Sequence, residues 1–114
     1  MITAKIMRFP ELRINLSAIS KNWIQMDRLS KHSVETAAVV KANAYGLGAK
    51  KVVPHLWKNG VKTFFVATIV EAIEIRKYLP KVATIYYLNG FSKKDAPEVV
   101  EFKLTPVLNS FSQI

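Results

Sequence analysis

The run Ala37-Ala38-Val39-Val40, followed at once by Lys41-Ala42-Asn43-Ala44-Tyr45-Gly46-Leu47-Gly48, constrains this chain more than any other stretch. Continuous small or β-branched apolar residues mark a strand buried on both faces, as in a parallel sheet. A lysine at the end of such a strand needs an explanation, because lysine is rarely buried without a partner. The asparagine and two glycines that follow let the backbone turn sharply before the next helix. The pattern places an amine at the carboxyl end of a buried strand, with the phenol of Tyr45 four residues on. Ligands of α/β proteins bind at that end of the strands.

Burial there disfavours the ammonium and makes the neutral, nucleophilic amine accessible. A nucleophilic amine beside an aromatic hydroxyl suits Schiff-base chemistry with a carbonyl cofactor, pyridoxal phosphate above all. The alternative is a lysine that ends its strand and extends its stem to solvent. Spacing alone does not choose between them.

The rest of the chain alternates strand and helix. Leu12, Ile14 and Leu16 predict a short opening strand over Glu11–Leu16. Ser17 then serves as N-cap of a helix to Ser30, whose inner face is Leu16, Ile19, Trp23, Met26 and Leu29. A second helix is expected over Leu47–Asn59, broken at Pro54 and ended by Gly60. Phe64–Ala67 is the next buried strand. Thr68 and Glu71 form a capping-box pair for a helix that uses Ile69, Ala72, Ile73 and the stem of Arg76. Val82–Leu88 reads as the third barrel-type strand and Leu104–Leu108 as the fourth, with a short helix between them capped by Asp95 and carrying Pro97 in its first turn. Asn109-Ser110 resembles the start of a further helix. Such βα repetition implies parallel pairing with right-handed crossovers, and both an open doubly wound sheet and a closed barrel begin this way.

Val39-Val40-Lys41-Ala42-Asn43-Ala44-Tyr45-Gly46 resembles the cofactor-lysine motif of the alanine racemases. Arg13-Ile14-Asn15-Leu16-Ser17-Ala18-Ile19 is similar to that family's opening segment. Phe65-Val66-Ala67-Thr68 with Glu71-Ala72, Ile85-Tyr86-Tyr87-Leu88-Asn89-Gly90 and Leu104-Thr105-Pro106-Val107-Leu108 resemble its second, third and fourth strands. Leu47 departs from the family's usual histidine, and Asn15 from its usual aspartate. The family's chains are also much longer. The resemblance implies an α/β fold that is a partial TIM-type (β/α)₈ barrel: roughly the first three βα units plus a fourth strand. Residues 1–16 are then an N-terminal extension with the opening strand, and residues 17–114 an incomplete barrel domain of a longer enzyme. Four strands do not close a barrel and would leave a bare edge.

For function, the resemblance implies a racemase interconverting L- and D-alanine, with Lys41 holding pyridoxal 5'-phosphate as an internal aldimine and exchanging the α-proton on one face. Tyr45 would donate to the cofactor phosphate, and the inward side of the third strand, Tyr86 or Leu88, would line the cofactor pocket. The opposite-face tyrosine comes from a partner subunit of a homodimer, and the arginine near the pyridine nitrogen lies beyond Ile114. These 114 residues alone are therefore expected to be inactive. The alternatives are another pyridoxal-phosphate barrel, a decarboxylase or cofactor carrier, and a basic non-enzymatic binding module. Gly46 and Gly48 could cradle phosphate as a nest, but read more simply as backbone-geometry residues.

Composition adds bounds. Half the residues are hydrophobic, enough for a core, yet no apolar stretch approaches the roughly 20 residues of a membrane span. The first residues lack the apolar core and cleavage site of a signal peptide. Without cysteine there are no disulfides or thiolate metal sites, which fits a cytoplasmic protein. His32 and His55 have no metal-ligand spacing, so no metal is expected. The net charge of +9 comes from scattered lysines with no aromatic interleaving, so neither nucleic acid nor membrane is an expected partner.

Overall fold

Four short parallel strands lie side by side in chain order: β1 (Ala38–Val39), β2 (Thr63–Val66), β3 (Thr84–Tyr87) and β4 (Leu104–Pro106). The computed structural model describes residues 9–114. The first eight residues of the expected N-terminal extension lie outside these described residues. An order that never reverses has no switch point of the doubly wound kind and is the arrangement with which a βα barrel begins.

The sheet has two unlike faces. Residues paired across the strands share a face, and successive residues alternate. Phe64, Val66, Ile85, Tyr87 and Leu104 point to one side and are almost wholly buried. Against them pack Val52, Val53 and Leu56 of α3 (Ala49–Lys58) and Ala72 and Ile75 of α4 (Ile69–Arg76). Burying each large apolar side chain is worth roughly 1.5–3 kcal/mol, so this layer holds the fold. The registered row Val39–Phe65–Tyr86–Thr105 points the other way and, among the described residues, has no helix over it; Val39 is 48% exposed. Phe65 and Tyr86 stack on that side with ring centroids 4.7 Å apart.

Helix α1 (Leu16–Leu29) lies against α3, with Leu16, Ile19 and Trp23 on the core and the His55 ring nitrogen 3.0 Å from the Ser20 hydroxyl. His55 is thus a helix-packing residue, as its isolation in the sequence suggested, and His32 is exposed. Beneath the sheet, Trp23 donates to the Thr36 carbonyl, Thr36 to Asp27, and Thr63 to Glu35.

Several expectations are corrected. No strand forms over Glu11–Leu16 in the described residues; Leu12 is exposed because no neighbouring strand is there to pair with it. Asn15, not Ser17, caps α1, since its Oδ1 accepts the Ala18 N–H at 3.0 Å. Met26 and Leu29 are exposed, for only the first turns of α1 meet α3. Pro54 does not break α3, which starts at Ala49 rather than Leu47. The bond that proline removes belongs to the carbonyl of Lys50, an exposed residue whose carbonyl water can satisfy. The third strand starts at Thr84, because Ala83 N–H turns back to the Pro80 carbonyl. β4 ends at Pro106, although Val107 still donates to Tyr87. Ser92 joins Asp95 in a capping box that opens a 3₁₀ turn running into α5 (Ala96–Glu101).

Gly60 stops α3 with φ +112°, and its neighbours close a Schellman pair, Val61 N–H to Leu56 and Gly60 N–H to Trp57. Arg76, 9% exposed, donates to three carbonyls: Phe102 and Lys103 at 2.9 and 2.8 Å, and Pro80 at 2.8 Å. Burial lowers its proton affinity, yet a guanidinium stays charged. It clamps the end of α4 to the turn that starts β4, where Lys103 has φ +51°. Arg76→Lys, with one point-like head for three acceptors, is expected to cost about 2–4 kcal/mol in urea unfolding. Gly60→Ala is expected to cost about 1–2 kcal/mol, because φ is left-handed there and the added Cβ meets the Trp23 ring at 3.4 Å.

Candidate active site

The ladder of β1 runs one residue beyond the strand: Val40, 3% exposed on the helix-covered side, donates to the Phe65 carbonyl at 2.8 Å. Lys41 follows, half-buried, just past the point where Val40 (φ −126°, ψ 28°) leaves the extended conformation. From there the chain makes α2 (Lys41–Tyr45), a single turn of the opposite hand. Ala42, Asn43, Ala44 and Tyr45 all have φ between 51° and 56°. Each left-handed residue with a side chain costs roughly 1–2 kcal/mol, so the turn stands only because its surroundings hold it.

Three features hold it. The Glu71 carboxylate accepts the Ala42 N–H at 2.8 Å, across 29 residues of chain. Asn43 Oδ1 accepts the Ala49 N–H at 2.8 Å, tying the turn to the start of α3. Ala44 is buried in the core, 4% exposed, where a larger side chain has no room. Gly46 (φ +82°) and Gly48 (φ +98°) then complete the change of direction. The two glycines and Asn43 had predicted a sharp turn; the left-handed alanines and tyrosine carry no such signal in sequence.

The expected site residues sit as follows. The Lys41 amine makes no hydrogen bond or ion pair among the described residues, and Tyr45 is 59% exposed with its hydroxyl likewise unpartnered. Leu88 is half-buried one residue past β3, its N–H still bonded to Val66, with the parity of Tyr86. Asn109, which sequence reasoning took only as a helix start, donates from Nδ2 to the Leu88 carbonyl at 3.0 Å and secures that loop. A hollow of about 270 Å³ lies beside the turn, lined by Val40, Asn43, Glu71 and Ile75 among others. Among the described residues no three His, Asp or Glu side chains gather as metal ligands, and no helix is long and apolar enough to cross a membrane.

Parallel strands in sequential order, with an amine where the first one ends, define a βα-barrel protein with its candidate site at the carboxyl mouth. The family model for the alanine racemase N-terminal domain matches residues 14–114, and the chain belongs to that family. It is 48% identical over 103 residues to an alanine racemase of Rickettsia prowazekii, covering 90% of this chain and 25% of that protein. Against the Rhodospirillum rubrum alanine racemase it is 44% identical, covering 28% of that protein. Among solved structures, the Bartonella henselae alanine racemase with covalently bound pyridoxal phosphate superposes with a TM-score of 0.82 at 43% identity, over 88% of this chain and 28% of that one. The alanine racemase from E. faecalis gives 0.80 at 28% identity, over 88% and 27%. The fold is thus that of the N-terminal part of an alanine racemase barrel domain. The chain spans about a quarter to three tenths of the length of the curated relatives it matches.

Ala42→Gly is expected to change stability by less than about 1 kcal/mol, since glycine takes the left-handed turn freely but loses chain entropy on folding. Ala42→Val is expected to cost on the order of 2 kcal/mol or more, because a β-branched residue strains there. Urea unfolding of the two variants checks both.

Proposed function

We propose that this chain carries the cofactor lysine of a pyridoxal-phosphate-dependent racemase that interconverts L- and D-alanine, the latter a peptidoglycan precursor, in a cytoplasmic homodimer. The reading is carried by one observation: Lys41, an amine without a partner among the described residues, stands at the carboxyl end of β1 on a rigid turn. The Bartonella relative, matched over the same segment, holds pyridoxal phosphate covalently. In domain terms, we read residues 1–16 as an extension and residues 17–114 as the N-terminal part of the barrel domain.

The donor set suits the cofactor. Lys41 offers a primary amine for a carbonyl carbon, Tyr45 an unpartnered hydroxyl for a phosphate oxygen, and Leu88 an apolar wall beside the Phe65–Tyr86 stack. Bound there, the cofactor supplies an aldehyde and an electron-withdrawing ring that stabilises negative charge at the substrate α-carbon. Lys41 Nζ would hold the cofactor through its amine and, as a free amine, would accept or return the substrate α-proton on one face. Tyr45 would hold the cofactor phosphate through its hydroxyl. Inverting the centre also requires an acid on the opposite face, which we assign to the partner subunit. On this reading the 114 residues alone do not racemise.

A full-length chimera tests the reading: residues 14–114 replace the matched segment of the Rickettsia prowazekii enzyme. With pyridoxal phosphate added, the chimera is expected to interconvert the alanine enantiomers, and borohydride to leave a phosphopyridoxyl mass on the Lys41 peptide. Lys41→Ala is expected to lower kcat by more than about 10³-fold and to abolish that mass. Activity and label that persist in Lys41→Ala overturn the proposal. A decarboxylase would instead release carbon dioxide without D-alanine. Racemisation by the purified 114-residue chain would overturn its assigned inactivity.

A further inference from the structure

We propose that Glu71 is a positioning residue for Lys41: its carboxylate fixes the peptide that leaves the lysine, and so the direction in which the amine departs from the sheet. This rests on the reading of Lys41 as the cofactor lysine.

Ala42 lies at the start of a helical turn, where an N–H has no acceptor from the turn itself. Glu71 Oε2 takes it at 2.8 Å, a charge-assisted bond of the stronger kind. The peptide so held joins Lys41 to Ala42, so the bond constrains ψ of Lys41 and the orientation of its Cα–Cβ vector. Nothing else recorded in the described residues holds that N–H.

As a helix cap, the Glu71 side chain is not needed. Thr68 Oγ1 accepts the Glu71 backbone N–H at 3.2 Å, and the Ala72 N–H reaches the Thr68 carbonyl at 3.0 Å. The reciprocal capping-box bond from the glutamate side chain to the Thr68 N–H is absent among the described residues. Instead Oε1 receives only a long contact of 3.5 Å from the Thr68 hydroxyl, and Oε2 crosses to the turn. The sequence signature of a cap thus hides a bond between the loop after β2 and the loop after β1. It couples the first turn of α4, itself packed on the core through Ala72, to the strained backbone beside the amine.

The full-length chimera carries the test, with three variants and two readouts: kcat and KM for alanine, and the rate at which added pyridoxal phosphate becomes borohydride-trapped on Lys41 in the cofactor-free protein. Glu71→Ala is expected to lower kcat and the trapping rate by about ten- to a hundredfold, with KM within about twofold, as a small misplacement of a reacting group does. Glu71→Gln keeps a carbonyl acceptor of the same reach and is expected to restore both to within about threefold. Thr68→Ala removes the cap of the same helix and is expected to lower Tm while leaving both rates unchanged. Glu71→Asp, one methylene short, serves if the alanine variant does not fold, and is expected to lose rate as that variant would. Rates in folded Glu71→Ala or Glu71→Asp equal to the parent, or Glu71→Gln as slow as Glu71→Ala, overturn the positioning role while Lys41 remains labelled. Label on a lysine other than Lys41 overturns the cofactor reading itself, and the role of Glu71 with it.

Discussion

The hydrogen bond from the Ala42 N–H to the Glu71 carboxylate sits where two demands on the backbone conflict. The chain must leave a parallel strand at Val40 and, within a few residues, enter a helix that packs on the covered face of the sheet. A right-handed turn does not make this change in so few residues; a left-handed one does, at the cost of four residues outside the comfortable region. Such a conformation persists only where it is over-determined. Here the carboxylate, the Asn43–Ala49 bond and the buried methyl of Ala44 supply three independent restraints within one turn. Rigidity beside Lys41 follows from them.

The sheet divides labour between its faces and its ends. The helix-covered side carries the apolar area, whereas the side of Val39, Phe65, Tyr86 and Thr105 is open and half polar. At the amino ends, short hydrogen bonds among Trp23, Asp27, Thr36, Glu35 and Thr63 fasten α1 and the loop before β1 to β2. The carboxyl ends carry the lysine, the tyrosine hydroxyl and the loops after β3 and β4. Stability at one end and chemistry at the other is the usual allocation in βα barrels.

Much of this was legible in the residues. The apolar runs located all four strands of the sheet within a few positions, and the lysine motif marked the mouth. Thr68 and Gly60 act as their sequence context indicated. The misreadings have specific physical causes. Alternation over Glu11–Leu16 is a strand pattern only if a partner strand exists, and local sequence does not contain the partner. Met26 and Leu29 keep helical spacing past the point where α3 ends its contact with α1. The carboxylate of Glu71 was assigned to its nearest amide, whereas its bond goes to one 29 residues distant, which no local pattern encodes. Periodicity did not choose barrel order over a doubly wound sheet; the family resemblance did, and the sequential pairing of the strands agrees with it.

Arg76 recognises only main-chain oxygens: those of Pro80, Phe102 and Lys103. A clamp of this kind is blind to the side chains it grips. The identities of residues 102 and 103 therefore matter to it only through the path of the loop, which Phe102 supports by packing on the core and Lys103 by its left-handed φ, while the arginine itself has no substitute of equal reach and geometry. A demand on backbone path rather than on side-chain chemistry is what such a clamp passes to descendants of the sequence, and it arises at the end of the sheet opposite Lys41.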